Sequence, residues 1–135
     1  MRWLLATFAI SLTCTACRGV DSELPPAYRQ VAVPLARLRS AAALARGRAL
    51  FAANCVLCHG ERGDGHGRRA AGFTKAPADF TDPAWRARAT PRRVFFVIRE
   101  GLRGTPMPSW GFLTEDETWD LTAYVLSLGP GAGPR

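Results

Sequence analysis

Five consecutive residues, Cys55-Val56-Leu57-Cys58-His59, carry the most specific chemistry in the chain. Residues three and four apart on a helical turn share a face, so Cys55, Cys58 and His59 can address one object together. The C-x-x-C-H order reads as a c-type haem attachment site. In that reading the two thiols add to the vinyl groups of the porphyrin and His59 becomes the proximal iron ligand. Two other uses of paired cysteines fit less well. A structural zinc site wants four ligands, and beyond these three only His66 remains once an exported chain has been processed. A dithiol oxidoreductase wants a βαβ pattern nearby, and no strand-like alternation of any length occurs.

The elements that must position these residues read as helices and tight loops. From Ser40, Leu44, Gly47, Phe51 and Asn54 recur at spacings of three and four, which predicts a helix running into Cys55. Gly47 inside that helix costs about 1 kcal/mol relative to Ala, so its presence predicts close approach of another helix. Residues 60–80 are glycine-rich and end near Pro77, a loop able to wrap tightly round a bulky group. Asp82-Pro83 marks the start of a short helix carrying Trp85. Thr90-Pro91 starts another, through Val94, Phe95, Val97 and Ile98, closed by Gly101. Pro106 and Pro108 flank Met107 in an extended loop that proline keeps from being helical. Thr114 and Glu117 form a capping box. The helix they open carries Trp119, Leu121, Tyr124, Val125, Leu126 and Leu128, and is apolar on more than one face.

At 135 residues the chain holds one modest domain plus an extension. Eighteen basic residues, all Arg except Lys75, stand against 11 acidic ones. The N-terminus reads as an export signal, with Arg2 ahead of an apolar stretch from Trp3 to Leu12 and then small residues. That stretch is short of the roughly 20 apolar residues a membrane span takes. Residues 1–16 are therefore expected to be a signal peptide. An ordinary signal would be cleaved near Ala16. Thr15-Ala16-Cys17 also resembles the end of a lipobox, although Cys14 stands where that pattern has Leu. The lipoprotein reading, with Cys17 as lipid acceptor, is favoured because small Ala16 precedes it. Both place the protein outside the cytoplasmic membrane, where bacteria attach haem covalently. Residues 17–40, interrupted by Pro25, Pro26 and Pro34, are expected to be a flexible tether. Residues 41–130 form the folded domain, and 131–135 a disordered tail.

From about Ser40 to Leu128 the chain resembles a class I, single-haem cytochrome c. The resemblance rests on the Gly47-to-Phe51 helix, Cys55-Val56-Leu57-Cys58-His59-Gly60, the glycine-rich loop, Pro77-Ala78-Asp79-Phe80, the Met107 loop, and the last helix with Trp119 and Tyr124. It implies an all-α fold of four or five short helices around one covalent haem c. The first and last of these helices cross near Gly47, Phe51 and Tyr124. It further implies Met107, forty-eight residues after His59, as the second iron ligand, and the Pro77 carbonyl as acceptor of the other His59 ring N–H. His66 is the rival ligand, but lies only seven residues past His59 and is expected in a solvent-exposed loop. Trp85 and Trp110 have two readings: at the haem rim, as packing or as indole donors to a propionate, or as ordinary core aromatics. Arg68, Arg69, Arg92 and Arg93 are expected on a solvated face, with one of them free to pair a propionate.

With both axial positions filled, the expected function is single-electron transfer rather than catalysis. Loss of Arg2 with the signal leaves 17 basic residues against 11 acids, a net charge of about +6 before the haem propionates. That surface suits redox protein partners with an acidic docking patch, and lipid on Cys17 would add the membrane itself. Nucleic acid is not expected as a partner of an exported haem domain. Two alternatives stay open: a haem enzyme or gas sensor with a labile sixth ligand, and an electron-entry subunit of a larger membrane oxidoreductase complex.

Overall fold

Three helices carry the architecture, and each begins at a residue whose side chain caps it. The computed structural model describes residues 19–129; the expected signal, Cys17 and the tail 131–135 lie outside the described residues. Among the described residues there are seven α-helical segments: α1 (Pro26–Arg29), α2 (Leu35–Leu38), α3 (Ala41–Asn54), α4 (Val56–His59), α5 (Pro83–Arg86), α6 (Pro91–Glu100) and α7 (Glu115–Ser127). Four of them are single turns, so the fold rests on α3, α6 and α7. Two further 3-10 turns lie at Val20–Glu23 and Ala70–Gly72, and no strand occurs among the described residues. The fold is all-α, as the sequence predicts.

α3 is built largely from alanine, the best helix former. It buries only a narrow stripe, Ala43, Gly47 and Phe51, with Leu44 and Asn54 half-buried beside it. That stripe lies on α7. A Cβ at Gly47 would sit 2.0 Å from the Asp120 carbonyl oxygen and 2.8 Å from Tyr124 Cβ. The glycine therefore admits the backbone of α7 itself, not the expected Tyr124 ring, which instead meets Phe51 at 5.3 Å between centroids.

α7 opens with the predicted capping box, Thr114 Oγ1 accepting from Glu117 N while the Glu117 carboxylate accepts from Thr114 N at 2.9 Å. Acidic Glu115, Asp116 and Glu117 sit at the positive end of the helix dipole. Seven of its residues are buried, because α3 covers one side and α6 another, where Phe95 stacks on Trp119 at 4.2 Å. The C-terminal end carries no basic residue of its own; Arg86, at the end of α5, donates to the Leu128 carbonyl instead.

α6 starts at Thr90, whose hydroxyl accepts from Arg93 N, and stops at Gly101 with φ +73°. A Cβ at Gly101 would meet the Met107 carbonyl oxygen at 2.8 Å. This glycine both ends the helix and lets the Met107 loop fold back upon it. Leu102 N donates to Met107 O at 3.1 Å, Trp110 N to Ile98 O at 2.9 Å, and Ser109 Oγ to Arg99 O at 2.5 Å.

Residues 19–40 do not form the expected tether. They lie as a belt across α6 and α7, pinned at separated points. Leu24 is 4 % exposed. The Tyr28 ring meets Phe96 edge-on at 4.8 Å, and its hydroxyl donates to Glu100. Arg92 donates to the Val31 carbonyl at 2.9 Å. Arg37 reaches Asp116 at 2.7 Å and Asp120 at 2.8 Å. Arg92 and Arg93 are thus engaged by the belt rather than forming a purely solvated face.

Candidate haem-binding site

α4 continues α3 after a kink at Cys55, whose φ and ψ are −113° and −28°. That single turn places Cys55, Cys58 and His59 together on the wall of a cavity of about 440 Å³. The glycine-rich loop then takes up the carbonyls that a helix end leaves without partners. Arg69 N donates to Leu57 O at 2.8 Å, Gly67 N to Cys58 O at 3.2 Å and Gly65 N to His59 O at 2.9 Å. The loop is thereby fastened over the end of α4, and Phe80 N closes it on Gly63 O at 2.7 Å.

His59 is oriented from two sides. Its ring stacks on Phe80, with centroids 4.5 Å apart and planes 21° from parallel. Its Nδ1 lies 3.1 Å from the Ala78 carbonyl oxygen. A carbonyl only accepts, so Nδ1 carries the proton and donates, and Nε2 keeps its lone pair. Burial lowers the pKa of the imidazole, opposed in part by the Ala78 bond, which keeps the ring neutral and suited to metal ligation. The acceptor is Ala78, not Pro77. Pro77 lines the cavity, but its carbonyl faces the loop at Gly65, 3.0 Å from where a Cβ would sit there. Just beyond, the Asp79 carboxylate accepts from Thr81 N at 2.7 Å and from Thr81 Oγ1 at 2.6 Å.

Cys55 and Cys58 are not joined in a disulfide, which leaves both sulfurs for attachment. Burial, and secondarily Cys58, pushes the Cys55 thiol up to about 12, so it is uncharged near neutral pH. The remaining walls are mostly apolar: Phe51, Phe80, Val94, Ile98, Leu121 and Val125. Met107 lines the same cavity from the loop strapped to α6. Trp85 and Trp110 both line it, and Trp110 Nε1 is buried with no hydrogen-bond partner among the described residues. A buried donor left unpaired in this way costs about 1–3 kcal/mol, so the indole N–H marks a place where a polar ligand atom belongs. Among the described residues, the ionisable groups on the wall, apart from His59 and the thiols, are Lys75, Arg88 and Arg93, with no carboxylate.

This donor set fits haem: two thiols, a neutral imidazole with a bare nitrogen, a thioether, apolar walls, and cationic groups with an orphaned N–H for a carboxylate. His66 is elsewhere. Its side chain is 85 % exposed, 3.6 Å from Asp64, and does not line the cavity. Among the described residues no group of three or more His, Cys, Asp or Glu side chains is placed to hold a metal ion. Ala78, Phe80 and the cations Lys75 and Arg88 were not singled out from the sequence. Only Pro77-Ala78-Asp79-Phe80 as a block gave a signal for the first two.

An all-helical domain whose crossed helices and loops enclose this cavity is a c-type cytochrome domain. Residues 42–125 match the profile of the cytochrome c oxidase, cbb3-type, subunit III family, and the chain belongs to that family. Its cofactor is a covalently attached c-type haem. The chain is 36% identical over 87 residues to the cbb3-type cytochrome c oxidase subunit FixP of Azorhizobium caulinodans, covering 64% of this chain and 27% of that protein. It is 40% identical over 95 residues to subunit CcoP of Cereibacter sphaeroides, covering 67% and 29%. The chain therefore spans less than a third of the length of these curated relatives. Among solved structures it is similar to a chain of the reducing HAO-like protein complex of Kuenenia stuttgartiensis, with a TM-score of 0.60 and 32% identity over 67% of this chain and 46% of that one.

Proposed function

We propose that this chain is an exported single-haem electron carrier, in which Cys55 and Cys58 would hold the haem and His59 and Met107 would both ligate its iron. The observation that supports this most is the composition of one cavity wall set, where an imidazole with a bare Nε2, a thioether and two thiols converge. Haem, when bound, supplies a one-electron iron couple. The chain's own residues do the rest. The bond from Nδ1 to the Ala78 carbonyl holds His59 in the ligating tautomer and raises its basicity. Met107, a soft neutral ligand, favours ferrous iron and raises the potential. Phe51, Val94, Ile98 and Leu121 exclude water. With His59 and Met107 both on the iron, no position would remain open for a substrate, which supports a carrier role over an enzymatic one.

The basic surface, net +7 for the whole sequence, suits docking to acidic redox proteins on the periplasmic side. The family match supports a more specific reading, in which the domain is an electron-entry subunit of an oxidase complex. No helix among the described residues is long and apolar enough to cross a membrane. A lipid on Cys17 would supply attachment, and because the belt is docked from its first turn, it would hold the domain close to the bilayer rather than on a long arm. The test of the carrier role is to mix the dithionite-reduced protein with carbon monoxide. A closed site forms no adduct on rapid mixing; a fast and complete adduct would instead favour a gas sensor or haem enzyme.

A further inference from the structure

The first turn of α6 places two cations where a helix least favours them. Arg92 and Arg93 follow Pro91 directly, and the turn contains no acidic residue of its own. The N-terminal end of a helix carries partial positive charge, so arginines there add repulsion to the dipole instead of relieving it. The compensating acids come from the belt. Its 3-10 turn carries Asp21 and Glu23, anchored by buried Leu24. Asp21 accepts from the Thr90 hydroxyl and stands 3.5 Å from Arg92, while Glu23 meets Arg93 Nη1 at 3.1 Å.

Arg93 is also one of the three cations on the cavity wall, where no carboxylate stands. It joins two sites: one end of its surroundings is the haem cavity and the other is Glu23. From this we infer that Glu23 is a positioning residue for the redox centre. It holds Arg93 outward and offsets its charge, so the belt sets the potential of the haem through one shared cation. The inference rests on the haem reading of the cavity. A positive charge beside the haem favours the reduced state, which carries one positive charge fewer on iron. Engaging Arg93 with Glu23 lowers the potential, and releasing Arg93 raises it. An event that lifts the belt from α6, such as a partner competing for Asp21 and Glu23, would therefore shift the driving force for electron transfer without touching an iron ligand.

The test is an optical redox titration of the holoprotein at low ionic strength, for wild type, Glu23→Gln, Glu23→Asp, Arg93→Gln and the double variant Glu23→Gln/Arg93→Gln. Glu23 is 77 % exposed, so its replacement does not threaten the fold. Visible spectra come first. A wild type without haem would overturn the cavity reading itself, whereas loaded variants test the belt alone. The expected result is an upward shift in Glu23→Gln, near-wild-type behaviour in Glu23→Asp, and a downward shift in Arg93→Gln. In the Arg93→Gln background the effect of removing Glu23 should be largely lost. A Glu23→Gln potential equal to wild type would overturn the inference. So would a Glu23→Gln shift of equal size with and without Arg93, since Glu23 would then act as a bare charge and not through the shared cation.

Discussion

The contact between α3 and α7 allows a sharp test at Gly47. Replacing it by Ala adds one methyl group whose carbon would stand 2.0 Å from the Asp120 carbonyl oxygen, 2.7 Å from the Asp120 carbonyl carbon and 2.8 Å from Tyr124 Cβ. The first two are backbone atoms of a helix, so no rotamer change relieves them. The helices must separate by about 1 Å to restore van der Waals distance. On propensity alone the substitution would stabilise α3 by about 1 kcal/mol. Overpacking a well-filled interface costs about 1–3 kcal/mol, and a clash with backbone belongs at the upper end. The net expectation is a loss of about 2 kcal/mol, equivalent to a fall in Tm of about 8–16 °C for a domain of this size. Thermal unfolding of the holoprotein, followed by far-UV circular dichroism, measures it. An unchanged or raised Tm for Gly47→Ala would show that propensity wins, and that the α3–α7 crossing is looser than these distances require.

Three other perturbations separate parts of the account. Met107→Ala should keep the covalent haem but lower the midpoint potential; an unchanged potential would remove Met107 from the iron. The Glu117 carboxyl is held below the ordinary glutamate range by the Thr114 backbone N–H and then by the Thr114 hydroxyl. A carboxylate with a depressed folded-state pKa contributes stability above its unfolded pKa of about 4.3, and that contribution is lost as pH falls through the lower folded value. Glu117→Gln should therefore be less stable than wild type near neutral pH, with the gap closing in acid; a gap that persists or widens in acid would contradict the capping role. Asp120→Asn should release Arg37 and Arg46 from a carboxylate only 3 % exposed. Faster hydrogen exchange across residues 35–39 with an unchanged haem spectrum is expected, and unaltered exchange would mean the belt does not depend on this clamp.

How much could be read beforehand depended on how far apart the cooperating residues lie in sequence. Cys55 to His59 is a local word, and its three functional side chains meet because one helical turn brings them together. The caps at Asp82, Thr90 and Thr114 are equally local, and each is found where the hydroxyl or carboxylate stands beside the amides it accepts from. The Gly47 crossing was legible through the resemblance, though the atom that demands glycine is the Asp120 carbonyl rather than an aromatic ring. Pro77 missed by one residue. Which of two adjacent carbonyls faces His59 depends on the backbone path through the loop, and the side-chain pattern does not encode that path. The belt was read as a tether because its prolines break every local period. Its stability comes from single side chains, Tyr28, Arg37 and Asp21, that find partners on α6 and α7 some 70–80 positions away. Asp120 escaped notice for the same reason. It stands past the acidic first turn of α7 with no basic residue beside it, and its two arginines come from α2 and α3.

The claim at the centre is that one haem is bound covalently by Cys55 and Cys58 and ligated by His59 and Met107. Absorption spectra of the oxidised and reduced protein, recorded before and after acid-acetone extraction, test it most directly. The account predicts that haem stays with the polypeptide and that the oxidised protein shows the weak near-infrared band of sulfur bound to ferric iron. Haem that leaves with the solvent would contradict covalent attachment at Cys55 and Cys58, and retained haem without that band would contradict Met107 as the second ligand.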